Sequence, residues 1–82
     1  MRMKDRFLTL DLHGVRHEKA QAMIEDFILE KIDELPIAIV TGHSKYYQSL
    51  VKGFASSLEL NVHKQWWRNA GCLIITEGKQ WT

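Results

Sequence analysis

Two strand-to-helix junctions within one short chain most constrain what this sequence can fold into. The first runs through "LTLDLHGVRHEKA", residues 8–20, where an alternating apolar pattern changes to helical spacing after Gly14. The second runs through "AIVTGHSKYYQSL" and begins 30 residues after the first, at Ala38. A chain of 82 residues has room for one small domain, so we expect both junctions to belong to one sheet.

The segments around these junctions have the patterns of a strand, a helix and a second strand. Alternation in "RFLTLDL" is typical of a strand, and the apolar residues from Ala20 to Leu35 follow helical spacing until Pro36 prevents helix continuation. The run "IAIV", residues 37–40, is continuous and apolar, which indicates a strand buried on both faces.

The rest of the chain predicts a second helix and a hairpin. Apolar residues recur from Tyr47 to Leu58 with helical spacing, and Ser44 is placed to cap that helix. The runs "ELNVHKQWW" and "CLIITE" are two strands joined by the turn-forming "RNAG". The predicted order is therefore β-α-β-α-β-β over a single domain, residues 1–82.

This order predicts an α/β fold, specifically an α+β two-layer sandwich with a mixed four-stranded sheet. A helical crossover makes the first two strands parallel, so their carboxyl ends meet at one edge. Asp11, His13 and Gly14 then share that edge with residues 41–44. Ligands of open α/β sheets bind at such an edge, where helix N-termini favour phosphate.

Composition narrows the class of protein without naming a ligand. The chain is 45% hydrophobic and 26% charged, which is ordinary for a folded globular protein. A net charge of +1 gives no general bias toward nucleic acid, although a local basic patch is compatible with it. The single Cys72 excludes an internal disulfide, and its apolar neighbours indicate a buried thiol in a reducing compartment. No apolar run has the length of a signal peptide or membrane span, so we expect a cytoplasmic protein without membrane partners.

The two junction motifs resemble those of a known family. "LDLHG", followed two residues later by "HEKA", is similar to the opening motif of the small MutS-related (Smr) domain. "IVTGHS" resembles that family's second, glycine-containing motif, and the resemblance extends to the closing "GCLIITE". In the family pattern a second glycine follows two positions after Gly42, where this chain has Ser44.

The resemblance implies a compact fold like the C-terminal domain of a translation initiation factor. It also implies nucleic-acid binding and, in many members, endonuclease activity on DNA or RNA, including mRNA at stalled ribosomes. The positions that match the family's functional motifs are Asp11, His13, Gly14, Thr41 and Gly42. Ser44 departs from the pattern and bears on phosphate binding and cleavage more than on the fold.

Phosphodiester cleavage needs proton-transfer groups and positive charge near the phosphate. His13 suits proton transfer near neutral pH, Asp11 can orient the imidazole, and His43 can supply the second proton. The alternatives are that Asp11 and His13 only cap the helix and bond to the turn, and that His43 is an exposed loop residue.

We predict no cofactor, because the neighbouring 2′-hydroxyl of RNA can serve as the nucleophile without a metal. A divalent cation such as magnesium remains compatible with the residues. A metal site made of Asp11, His13 and His43 would match no strong sequence signature. His17 and His63 are expected to be ordinary surface residues.

Basic and aromatic residues alternate in "KYYQ" and "HKQWWR", which is typical of surfaces that bind unpaired bases and phosphates. The candidate nucleic-acid contacts from these segments are Lys45, Tyr46, Trp66 and Arg68, and Arg16 is a further phosphate candidate. Tyr47 is expected on the buried face of its helix. The acidic positions of the first helix are expected to be a solvated face.

The sequence thus predicts a nucleic-acid-binding Smr-like domain, with RNA favoured over DNA and a ribosome as a further partner. The leading hypothesis includes endoribonuclease activity. One alternative is a non-catalytic module that binds RNA, DNA or ribosomes, and a weaker one is a protein-interaction domain.

Overall fold

A computed structural model describes residues 8–64 and 71–78. In chain order the elements are β1 (Leu8–Asp11), α1 (His17–Glu30), a 3-10 helix (Ile32–Glu34), β2 (Ile37–Val40), α2 (Lys45–Ser57), β3 (Asn61–Lys64) and β4 (Cys72–Thr76). The four strands form one mixed sheet with the spatial order β1-β2-β4-β3. The predicted α/β two-layer fold is confirmed.

Strand pairing fixes which loops are neighbours. β1 pairs parallel with β2, with Leu8 opposite Ile37 and Asp11 opposite Val40. β4 runs antiparallel to β2 on one side and to β3 on the other. The carboxyl ends of β1, β2 and β3 therefore lie at one edge of the sheet, together with the start of β4. We call it the junction edge, after its two strand-to-helix loops, residues 12–16 and 41–44.

The core lies between one face of the sheet and the two helices. Successive side chains of each strand point to opposite faces of the sheet, so every second strand residue faces the helices. The largest fully buried side chains from strands and helices are Ile37, Ile39, Leu73, Ile75, Ile24, Ile28 and Val51. This arrangement confirms both predicted amphipathic stripes.

The central position of β2 explains its uninterrupted apolar sequence. Ile37, Ala38 and Ile39 are all buried, as predicted for this strand. Cys72 pairs with Val40 at the start of β4 and is also buried, as predicted. Burial raises the pKa of the Cys72 thiol, because the thiolate would lose hydration.

The helix α1 ends earlier, and the strand β3 begins later, than the sequence predicts. α1 ends at Glu30, and a 3-10 helix leads to Leu35, which is extended (φ −61°, ψ 148°) because it precedes Pro36. β3 begins only at Asn61, because Glu59 takes a positive φ of 63° that ends α2. The Leu60 N–H donates to the Ala55 carbonyl there, as in a Schellman motif.

Candidate nucleic-acid interface

The first loop of the junction edge is a tight turn held by the residues of the "DLHG" motif. The Val15 N–H donates to the Leu12 carbonyl at 3.0 Å, which closes a β-turn. Gly14, the third residue of that turn, has a φ of 79°, the value that a type II turn requires. The Asp11 carboxylate accepts a hydrogen bond from the backbone N–H of His13 at 2.9 Å.

This geometry changes the expected relation between Asp11 and His13. In a continuous strand, residues 11 and 13 would face the same side, and Asp11 could then orient the imidazole. Instead, β1 ends at Asp11 and His13 lies in the turn. The carboxylate supports the backbone of the turn, which is the structural alternative stated above. Both side chains are exposed, so the His13 imidazole is open to a ligand.

The second loop is fastened to the start of β4. The carbonyl oxygen of Gly71 accepts hydrogen bonds from the N–H groups of Thr41 and Gly42, at 2.7 and 3.0 Å. The Thr41 hydroxyl also donates to this oxygen at 3.2 Å, and Thr41 is 5% exposed. These donors are committed to a protein acceptor, so the contribution of Thr41 and Gly42 is to hold the loop.

Close backbone approach explains the glycines of this second loop. A Cβ on Gly71 would lie 2.6 Å from the Cα of Gly42, closer than a real Cβ contact allows. Gly42 itself has a φ of 66°, which favours glycine. The Gln48 side-chain amide donates to the Gly42 carbonyl at 3.1 Å and fixes the loop from the helix side.

The remaining residues of the loop lead into α2. The Ser44 hydroxyl accepts a hydrogen bond from the Tyr47 N–H at 3.1 Å, which confirms the predicted cap. His43, Lys45 and Tyr46 are exposed at the start of the helix. Their side chains are therefore accessible, whereas the Ser44 hydroxyl is engaged.

The two loops are tied together through α2. Tyr47 is buried, as predicted, and its hydroxyl donates to the Val15 carbonyl in the first loop. His17 at the start of α1 stacks on Tyr46, with ring centroids 4.5 Å apart and planes inclined by 28°. The His17 ring also contacts Tyr47 in an edge-to-face arrangement, with ring centroids 5.1 Å apart. We call His17, Tyr46 and Tyr47 the aromatic cluster.

Charge at the junction edge comes from exposed side chains. The basic residues Arg16 and Lys45 are exposed, and they directly precede the ring residues His17 and Tyr46. Arg16 lies 4.0 Å from Glu18, but both side chains are 73% exposed, so solvent weakens this pair. This weak pair leaves the Arg16 guanidinium accessible.

Trp66 and Arg68 lie outside the described residues. The residues that flank their segment, Lys64 and Gly71, are both at the junction edge. Within residues 8–64 and 71–78, no group of three or more His, Cys, Asp or Glu side chains is arranged to hold a metal ion. None of the described helices is long and apolar enough to cross a membrane.

A cleft lies at the opposite edge of the sheet. Its volume is about 710 Å³, and its lining residues are Ile32, Asp33, Leu35, Pro36, Asn61, His63, Thr76 and Glu77. The His63 ring is hydrogen-bonded to the Thr76 hydroxyl at 3.0 Å. His63 directly precedes Lys64 in β3, but its ring bonds to Thr76 and lines this cleft, so it offers a control for the other histidines.

Sequence reasoning missed four residues that shape the junction edge. Gln48 and Gly71 position the second loop, Tyr47 joins the loops, and His17 supports Tyr46. The position of Gln48 in the first turn of α2, facing the loop, was a usable signal. The contacts of Gly71 and His17 depend on how strands and helices pair, which no local pattern contains.

Comparison of the chain with protein-family models, with curated proteins and with solved structures finds no match.

Proposed function

We propose that this chain is an RNA-binding domain of the small MutS-related type whose junction edge cleaves RNA. One observation carries the proposal. Two exposed imidazoles, His13 and His43, follow adjacent parallel strands in loops that the protein fixes to one another. The resemblance of the two motifs to the Smr domain supports the choice of family, and the placement of the two imidazoles supports a shared role for them.

The placement supports cleavage because RNA strand scission needs two proton transfers. The 2′-hydroxyl loses a proton as its oxygen attacks the adjacent phosphorus, and the departing 5′-oxygen gains one. This breaks the P–O5′ bond and leaves a cyclic phosphate and a free 5′-hydroxyl. His13 and His43 take one transfer each, since an imidazole is the side chain best suited to both near neutral pH.

We expect side chains, more than backbone amides, to contact the negatively charged phosphates. The Thr41 and Gly42 amide groups are occupied by the Gly71 carbonyl. Arg16 and Lys45 are the exposed cations beside the two loops. The amide groups of the first turn of α2 add the partial positive charge of a helix N-terminus.

A second candidate is a binding module for RNA or ribosomes that does not cleave. It is favoured by the hydrogen bond from the His13 N–H to Asp11, because a carboxylate used in this way supports a turn and not an imidazole. This module would use the same cations. It would show a steep decrease in affinity with salt and no strand scission.

The test is incubation of end-labelled single-stranded RNA, and of matching DNA, with the purified protein in the presence and absence of EDTA. We expect cleavage of RNA only, unaffected by EDTA and reduced by about 100-fold or more in His13→Ala and in His43→Ala. RNA with 2′-O-methyl groups should stay intact, since it lacks the nucleophile.

His63→Ala is the matched control, because His63 is also exposed but lies in the cleft at the opposite edge. It should cleave at the wild-type rate. Equal rates for His13→Ala and His63→Ala would contradict the cleavage mechanism. Salt-dependent binding without cleavage would select the second candidate.

A further inference from the structure

The aromatic cluster joins the starts of two helices that are far apart in sequence. His17 is the first residue of α1, and Tyr46 is the second residue of α2. Their rings are 4.5 Å apart with an interplanar angle of 28°, which is a stacked arrangement. Tyr47 lies behind them, 5.1 Å from His17 and 5.7 Å from Tyr46.

Burial distinguishes the roles of the two tyrosines. Tyr47 is 8% exposed and its hydroxyl is bonded to the Val15 carbonyl, so it is part of the scaffold. Tyr46 is 46% exposed, which places it among the most exposed large apolar side chains of the described residues. His17 stacks on one side of its ring and Tyr47 lies tilted against it, and nearly half of the residue stays accessible to solvent.

We propose that Tyr46, supported by His17, is a stacking platform for an unpaired nucleobase, so that the junction edge selects single-stranded RNA over duplex. This inference rests on the proposed function. A base placed on Tyr46 extends the His17–Tyr46 stack by one further ring. Arg16 and Lys45, each adjacent in sequence to a ring of the platform, contact the flanking phosphates.

Strand selectivity follows from what a duplex presents. In paired RNA the flat faces of the bases are covered by their neighbours, and only phosphates, riboses and base edges are accessible. In a single strand the bases can turn outward and stack on an aromatic ring. The platform therefore adds binding energy for unpaired bases alone, while the cations act on both forms.

The experiment measures binding of a short single-stranded RNA that carries one fluorescent purine analogue, whose emission falls when it stacks. The same RNA annealed to its complement is the duplex probe. Wild-type protein should quench the single strand and bind it more tightly than the duplex. Tyr46→Leu should abolish the quenching and weaken single-strand binding about tenfold or more, whereas duplex binding stays unchanged.

Two further variants separate stacking from folding. Tyr46→Phe keeps the ring and should keep both quenching and affinity. His17→Leu removes the supporting ring and should weaken single-strand binding severalfold. Thermal unfolding of each variant, followed by circular dichroism, shows whether the fold is retained.

The possible outcomes test the stacking platform separately from the RNA-binding proposal on which it rests. Salt-dependent binding of single-stranded RNA that is equally tight and equally quenched in wild type and Tyr46→Leu overturns the platform and leaves the RNA-binding proposal standing. Equal affinity of the wild type for both strand forms also overturns the platform. The absence of binding to either RNA at low salt overturns both proposals.

Discussion

Gly71 decides how the second loop meets the sheet. Its carbonyl oxygen accepts from both Thr41 and Gly42, so the residue cannot move away without loss of these hydrogen bonds. A Cβ added to it would lie 2.6 Å from the Cα and 2.9 Å from the backbone nitrogen of Gly42. Neither of these atoms belongs to a flexible side chain, so the backbone itself would have to shift.

We therefore predict that Gly71→Ala lowers the free energy of unfolding by roughly 1–3 kcal/mol, as overpacked sites do. Gly53→Ala is the matched control. Gly53 is exposed within α2, and its added Cβ would have no atom within 4 Å. This control should raise the free energy of unfolding by about 1 kcal/mol through helix propensity. Urea denaturation measures both, and shifts of the same sign in the two variants would contradict the account.

The sequence predicts single residues well where the cause is local. The Ser44 cap follows from its position before a helical stripe, and the burial of Tyr47 follows from helical spacing. The contact between Gly71 and Gly42 has no local cause, because it arises only when β4 pairs with β2. The same is true of the stack between His17 and Tyr46, which needs both helices on one face.

At the scale of elements, Tyr47 connects α2 to the turn after β1. Its hydroxyl donates to the Val15 carbonyl, and its ring contacts both partners of the aromatic cluster. The two strand-to-helix loops are therefore held together by a side chain of the second helix. The position of one loop relative to the other is therefore set by contacts within the folded domain.

Removal of this hydroxyl should loosen that connection. We predict that Tyr47→Phe lowers the free energy of unfolding by about 1 kcal/mol, the usual net value of one hydrogen bond. Tyr46→Phe is the matched control, because it removes the same atom from an exposed ring and should change stability by less than about 0.5 kcal/mol. Equal stability of Tyr47→Phe and wild type in urea denaturation would show that the bond contributes nothing.

Element boundaries were less predictable than element types. The apolar stripe of α1 continues to Leu35 in the sequence, yet the helix stops at Glu30 and a 3-10 helix follows. The stripe persists because Ile32 in this 3-10 helix and Leu35 directly after it still pack against the core. Apolar spacing reports burial, and burial does not require a continuous α-helix.

At the scale of the whole molecule, the two ends of the strands carry different side chains. The junction edge carries both loops, the aromatic cluster and exposed cations. The opposite edge carries the large cleft with Asp33 and Glu77, two exposed carboxylates that repel phosphate. The junction edge also carries the exposed carboxylates of Asp11 and Glu18, but its loops add the exposed cations Arg16 and Lys45, a charge type that the cleft lining lacks.

The β-α-β-α-β-β order and the parallel first pair follow from the sequence, because a helix between two strands implies a crossover. The insertion of β4 between β2 and β3 does not follow from any local pattern. That insertion brings Gly71 to the second loop, so the shape of the candidate site depends on the least predictable part of the topology.

The most direct test of the central claim, that both loops form one RNA-binding surface, is a titration of isotope-labelled protein with single-stranded RNA, followed by backbone amide chemical shifts. The account predicts that the largest shifts within the described residues occur in 13–17 and 42–46 together. It also predicts little change at Asn61, His63 and Thr76 in the cleft. Shifts concentrated in the cleft, or confined to one of the two loops, would contradict it.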